Sequence, residues 1–287
     1  MFARVLWMFA AALAVPAMEA RGEWLAPLYA ETAETVGSGN AEVGLGASYF
    51  NGRRFPPFTP QGFIRSQDLV TGPEFGFRVA PADAVEIQAS YELIYLNEDT
   101  TNGHNSEYGG GDARLFTKIW AVRERKWIPG TGVRFGVKLP NASKEKRLGT
   151  DETDFYIQAL GSKRFGQIAT HLNLGLAILG NPGFGTNSSD GQDDLFIYDF
   201  AVVSPTFGQR AAGWAVRGLL EISGATGSRF DNDFTEFRGG PQVMYGNWTF
   251  YLGGSAGLEG AAAHYGVSGG AFYTFALERL AALFDED

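Results

Sequence analysis

Apolar and polar residues take turns along a series of segments, the connections between those segments are alternately long and short, and beyond residue 20 no apolar stretch reaches the ~18 residues of a membrane helix. Together these observations predict an all-β fold, a transmembrane antiparallel up-and-down β-barrel of about 12 strands. Alternation carries weight because successive side chains on a strand point to opposite faces, so a wall between hydrocarbon and a polar lumen must alternate. Connection length carries independent weight, because a membrane barrel has short turns at one end and longer loops at the other. A soluble β-sandwich has no reason to sort its loops that way.

The chain opens with Arg4, an apolar run from Val5 to Val15, and small residues around Pro16, Ala17 and Ala20, the order of a secretory signal peptide. As a helix that run would rise only about 16 Å, too little for a ~30 Å hydrocarbon core. Residues 1–20 are therefore expected to be removed, with cleavage after Ala17 or Ala20, and 21–39 to form a periplasmic segment that caps or enters the lumen. Strands are expected at 40–50, 69–80, 84–96, 110–122, 131–140, 153–165, 167–179, 194–204, 213–224, 234–245, 247–258 and 264–275, making a barrel over 40–275. In the third, Val85, Ile87, Ala89, Tyr91, Leu93 and Tyr95 alternate with Glu86, Gln88, Ser90 and Glu92; in the seventh, Leu172, Leu174 and Leu176 alternate with His171, Asn173 and Gly175. An even strand number brings both ends of the barrel to one side.

The connections 51–68, 97–109, 141–152, 180–193 and 223–233 are long, those at 81–83, Gly166 and Gly246 are short, and 122–130 and 204–213 are intermediate. Tyr49, Tyr95, Trp120, Trp214, Tyr245, Trp248 and Tyr273 fall near strand ends, where amphipathic rings form interface girdles; core packing in a soluble β protein is the competing account. The run Ser268 to Phe275, a polar residue and glycines followed by alternate aromatics, ends the last strand. Residues 276–287 follow as a C-terminal periplasmic tail, with Leu277, Leu280, Ala281 and Phe284 at helical spacing.

The absence of cysteine removes disulfides, thiolate metal sites and thiol catalysis. Net charge is −9, unchanged by loss of the signal because Arg4 and Glu19 leave together, and without a basic stripe no nucleic-acid partner is expected. The 3 histidines, His104, His171 and His264, have no Ser-His-carboxylate or metal-ligand spacing. An outer-membrane phospholipase would place its serine two residues after the histidine, where Asn173 and Gly266 stand, so no enzyme is expected. Asn187, Ser189, Asp190, Asp193, Asp194, Asp231 and Asp233 offer oxygen ligands without the closing glutamate of a calcium loop and read as solvated loop. Neither a metal nor a cofactor is expected.

Phasing the alternation gives the side chains that should face the lumen. They are Glu86, Gln88 and Glu92, then Asp112, Arg114 and Lys118, then Arg134 and Lys138, then Gln158, His171, Asn173 and Asp199, and last Arg217, Glu221, Glu236 and Arg238. Acidic members concentrate on 84–96 and 213–224 and basic ones on 110–122 and 131–140, an arrangement that could set up a transverse field or a structural salt-bridge lattice.

Several pieces stand in the order found in a known family. Pro27, Leu28 and the run Ala33 to Gly39 form a lead-in; Gly111 and Asp112 open a strand; Lys138, Leu139 and Pro140 precede Gly149, Thr150 and Asp154; Ser162, Lys163, Phe165, Gly166 and then His171 to Gly175 follow. This order resembles the outer-membrane transporter family named after the MetA pathway of phenol degradation, over nearly all of the mature chain and best from 111 to 180. The resemblance implies an outer-membrane channel for a hydrophobic or aromatic solute, with no catalytic residues to carry over. Lumen groups and the loop aromatics Phe55, Phe58 and Phe63 would admit the solute. The competing expectation is a non-conducting barrel, plugged by salt bridges or by residues 21–40, acting as an adhesin or structural protein. Either way the expected partners are outer-membrane lipid and lipopolysaccharide and the barrel assembly machinery, with a small-molecule solute in the channel case.

Overall fold

The computed structural model describes residues 25–55, 64–180, 192–210, 213–229 and 231–278; the proposed signal, Phe58, Phe63, residues 187–190 and the tail beyond 278 lie outside them. The strands are β1 (Asn40–Asn51), β2 (Ile64–Ala82), β3 (Val85–Thr100), β4 (Gly103–Gly110), β5 (Ala113–Val122), β6 (Gly130–Leu139), β7 (Asp154–Phe165), β8 (Ile168–Leu179), β9 (Asp193–Val203), β10 (Phe207–Gly208), β11 (Trp214–Thr226), β12 (Phe234–Tyr245), β13 (Trp248–Gly260) and β14 (Tyr265–Ala276). Every pairing is antiparallel, and β14 pairs with β1 from Asn40↔Ala276 to Asn51↔Tyr265, which closes the sheet. Both β4 and β5 pair with β3 and are halves of one barrel strand broken at Gly111 and Asp112. Both β9 and β10 pair with β11. The result is a closed 12-strand barrel.

Closure leaves no exposed edge, so the wall's backbone groups are paired within the sheet. At the two tightest turns Gly166 and Gly246 take φ of 65° and 54°, the left-handed conformation that two-residue hairpins demand. Inside the wall, a Cβ on Gly46 or Gly270 would collide with the ring of Tyr251, which stacks on Phe272 at 5.1 Å.

Four expectations change. Residues 97–109 are not a long loop: β3 continues to Thr100 and β4 turns back from Gly103, so the wall rises into a hairpin whose polar residues carry no apolar alternation to announce it. The start of β2 is Ile64, five residues earlier than expected, and the connection at 204–213 contains β10. Asp193 is not solvated: fully buried, it accepts the Arg229 N–H at 2.8 Å and the Asn232 amide at 3.0 Å, bracing the loop between β11 and β12.

The sorting of side chains is the inverse of a water-soluble core. On β8, Leu172, Leu174 and Leu176 are exposed outward, while His171 and Asn173 between them are buried. Of the rings expected in girdles, Trp214 and Tyr245 are exposed at strand ends, in ring contact at 4.6 Å; Tyr95 is exposed but lies within β3, which runs on to Thr100, and Tyr273 is buried. Placing a charge on this outer face should be costly in a bilayer. Leu174→Arg, near the middle of β8, is expected to destabilise the folded barrel by about 2–4 kcal/mol in a urea titration in lipid vesicles; an unchanged midpoint would mean that this face does not meet hydrocarbon.

Candidate functional site: a plugged lumen

All the phased candidates lie on the inner face. Glu86 and Lys118 are fully buried; Gln88, Glu92, Asp112, Lys138, Gln158, His171, Asn173, Asp199, Arg217, Glu221, Glu236 and Arg238 are buried, and Arg114 and Arg134 partly so. Register makes many of them neighbours. Glu86 faces Lys118 across β3 and β5, Lys118 faces Arg134 across β5 and β6, and Glu221 faces Arg238 across β11 and β12. Lys138 reaches Asp154 at 2.7 Å and Asp112 at 3.4 Å, and Arg114 reaches Glu92 at 2.8 Å. Opposite charges meet at Glu86–Lys118, Glu92–Arg114 and Asp112–Lys138–Asp154, while Lys118 and Arg134, and Arg114 and Lys138, set like charges opposite one another across β5 and β6.

What fills the space between the walls is the chain's own lead-in. Residues 25–39 run through the lumen with almost no regular structure, and several of their backbone groups are satisfied by wall side chains. The Tyr29 and Ala30 N–H groups donate to the two oxygens of Glu221 at 2.9 and 2.6 Å. Asn173 accepts the Glu31 N–H at 2.7 Å and donates to its carbonyl at 3.0 Å. Ser162 Oγ accepts the Ala33 N–H at 2.8 Å, Glu86 the Val36 N–H at 2.7 Å, and Gln242 donates to the Ala26 carbonyl at 2.7 Å. Apolar contacts seat the first turn, with Leu25 and Leu28 against Ala201, Val203 and Leu219.

Two plug side chains are gripped as well. The Glu31 carboxylate lies 3.4 Å from Lys118 Nζ, 3.9 Å from Arg78 and 4.0 Å from Arg134. Burial pushes its pKa up, but Lys118, Arg134 and Arg78 outweigh burial and hold it at about 2. A depressed carboxyl contributes stability that is present above its ordinary value of 4.5 and lost as pH falls through about 2. Plug release that depends on Glu31 should therefore be confined to the interval between those values. Bilayer conductance of the wild type against Glu31→Gln across that range checks it; a rise in the wild type on acidification near neutrality, absent from Glu31→Gln, would contradict it. Tyr29, at the tip, stacks under the Arg238 guanidinium at 3.6 Å, and its hydroxyl accepts hydrogen bonds from Arg238 and, at 2.8 Å, from Arg53.

The plug divides the lumen. On the side of the long loops is a chamber of about 600 Å³ whose lining includes Phe50, Phe116, Tyr156, Phe234, Tyr251 and Phe272 among the charges, with Tyr29 bordering it. Toward the short turns is a polar pocket of about 210 Å³, bordered by Thr32, Glu34, Ser162 and His171. Of the loop aromatics expected to admit a solute, Phe55 borders the chamber, but the rings on the strands that line it, Phe50, Phe116, Tyr156, Phe234, Tyr251 and Phe272, escaped the sequence reading. So did the inward fold of the loop after β6, where Ala142 and Leu148 join Phe50, Leu69, Ile94 and Leu96 in an apolar cluster inside the barrel. Ser162 Oγ and His171 Nδ1 are 2.9 Å apart, a pairing made by β7–β8 register and invisible in sequence spacing; with the Ala33 N–H on the same oxygen, the pair forms a ledge for the plug. Among the described residues no cluster of metal-ligating side chains occurs.

A closed 12-strand barrel with an apolar exterior and a charged interior has the architecture of an outer-membrane protein. Solved structures agree: the chain is similar to an outer membrane channel from Pseudomonas putida F1, with a TM-score of 0.60 and 13% identity over 85% of this chain and 98% of that one. It is also similar to the translocator domain of the autotransporter NalP from Neisseria meningitidis, with a TM-score of 0.51 and 11% identity over 83% of this chain and 88% of that one. At these identities the likeness is one of fold. No protein-family model matches the chain, and no curated protein matches it.

Proposed function

We propose that the protein is an outer-membrane channel for passive uptake of a small hydrophobic or aromatic solute, held closed at rest by residues 25–36. The observation that carries this reading is the chamber: aromatic rings interleaved with charged groups, in a cavity of about 600 Å³ bordered by a displaceable peptide, suit a solute with a ring and a polar end. The order of motifs, which resembles that of the MetA-pathway transporter family, supports the same solute class, and the similarity to an outer membrane channel supports conduction. An N-terminal export signal and folding by the barrel assembly machinery into a lipopolysaccharide-bearing bacterial outer membrane belong to the same proposal, and no catalytic role is part of it.

Planar-bilayer recording and vesicle swelling test it. Wild-type protein should pass small, infrequent currents, Glu31→Gln should open more often, and vesicles should swell faster in benzyl alcohol than in a sugar of similar mass. The plug itself favours the competing reading of a non-conducting adhesin or structural barrel. Silence from both the wild type and a variant lacking 25–36 would establish that reading in place of the channel.

A further inference from the structure

The turn joining β5 to β6, residues 123–129, takes no part in the lumen's clamps on the plug. Arg125 and Ile128 exchange backbone hydrogen bonds, N to O at 2.9 Å and 3.2 Å, so Lys126 and Trp127 form the tip of a two-residue hairpin. Trp127 is 84% exposed, Ile128 is exposed beside it, and the Lys126 ammonium lies 5.5 Å from the indole centroid. The hairpin is braced from both flanks. Arg123 reaches Asp83 in the β2–β3 turn at 3.3 Å, while Glu124 takes the Lys163 ammonium at 2.8 Å and the Arg164 N–H at 2.9 Å. Those contacts engage Arg123, Glu124 and Lys163 and hold the tip in place. Among the described residues Arg125 and Lys126 form no salt bridge, on a chain whose net charge is −9. The outer wall leading to the tip, at Ile119, Val122, Phe165 and Ile168, is exposed and apolar, so the hairpin stands where that belt ends.

We infer that this hairpin docks on the bilayer leaflet at the short-turn end of the barrel, with the Trp127 indole in the interface and Arg125 and Lys126 binding the phosphate of an anionic phospholipid. An exposed indole next to two cations, continuous with an apolar belt, matches that environment: aromatic rings settle at the headgroup level and basic side chains near an anionic surface are attracted to it. The inference rests on the reading that the barrel spans a membrane. A soluble partner or a second copy of the chain would place the indole away from lipid.

The mature protein is reconstituted in vesicles of phosphatidylethanolamine with and without phosphatidylglycerol, and Trp127 is followed by quenching with brominated lipids, taking the difference from Trp127→Phe. Brominated phosphatidylglycerol should quench the Trp127 signal more strongly than brominated phosphatidylethanolamine. Native mass spectrometry should show phosphatidylglycerol retention falling about fivefold for each of Arg125→Gln and Lys126→Gln, an effect that salt weakens. A Trp127 signal quenched by neither lipid in an inserted barrel would overturn the inference, as would equal retention by wild type and the double variant. Failure of the wild-type protein to insert at all would instead overturn the membrane reading beneath it.

Discussion

Removal of residues 25–36 is expected to convert a nearly closed barrel into a steadily conducting one, with single-channel conductance rising on the order of tenfold. No strand is touched, because β1 begins at Asn40 and pairs with β14 and β2 through its own backbone. What changes is the bore. Glu221, Asn173, Ser162 and Glu86 lose the amides they now hold and take up water instead. Arg78, Lys118 and Arg134 lose Glu31, so the middle of the lumen becomes more positive and selectivity should move toward anions. Reversal potentials in a salt gradient measure that shift alongside conductance. Heat-dependent migration on gels reports whether the truncated barrel is folded. A folded variant with unaltered current would mean that the plug does not obstruct the path.

The second large effect concerns stability. Lys118 is fully buried, 3.0 Å from Glu86 and 3.4 Å from Glu31, and Lys118→Met would leave Glu86 buried without its nearest cation. Breaking a buried pair from one side costs about 3–5 kcal/mol, because the surviving charge keeps its desolvation penalty. The companion change Glu86→Gln should recover much of that loss. By contrast, the exposed pair Arg123–Asp83 should matter little to stability. Urea titrations in vesicles distinguish these cases; a Lys118→Met barrel as stable as the wild type would show that water reaches Glu86.

The strands were legible because a closed wall with an apolar outer face and a polar inner face favours period two. The stretch Val85 to Tyr95 announces both its conformation and its phase, which placed Glu86, Gln88 and Glu92 on the inner face. The β3–β4 extension was illegible for the same reason: beyond the apolar belt neither face needs to be apolar, and Asn97 to Gly110 is polar or glycine apart from the Tyr108 ring. The partners of the inner residues were also out of reach. Glu221 and Tyr29 are 192 positions apart, and the lead-in has no periodicity because its hydrogen bonds go to side chains. Ser162 and His171 meet through strand register, and Leu148 sits in a connection whose composition reads as exposed loop.

Outside Leu25, Leu28, Tyr29 and Glu31, the wall holds the lead-in largely by its amides and carbonyls, groups common to nearly every amino acid. Such a grip is indifferent to spelling. Most of 25–36 could be rewritten, small residue for small residue, and still lie where it does, provided Tyr29 and Glu31 kept their anchors. The vocabulary that cannot drift belongs to the staves of the cask: an exchange of Asn173 or Glu221 unfastens several links at once, so the instructions for the stopper are written chiefly in the vessel around it.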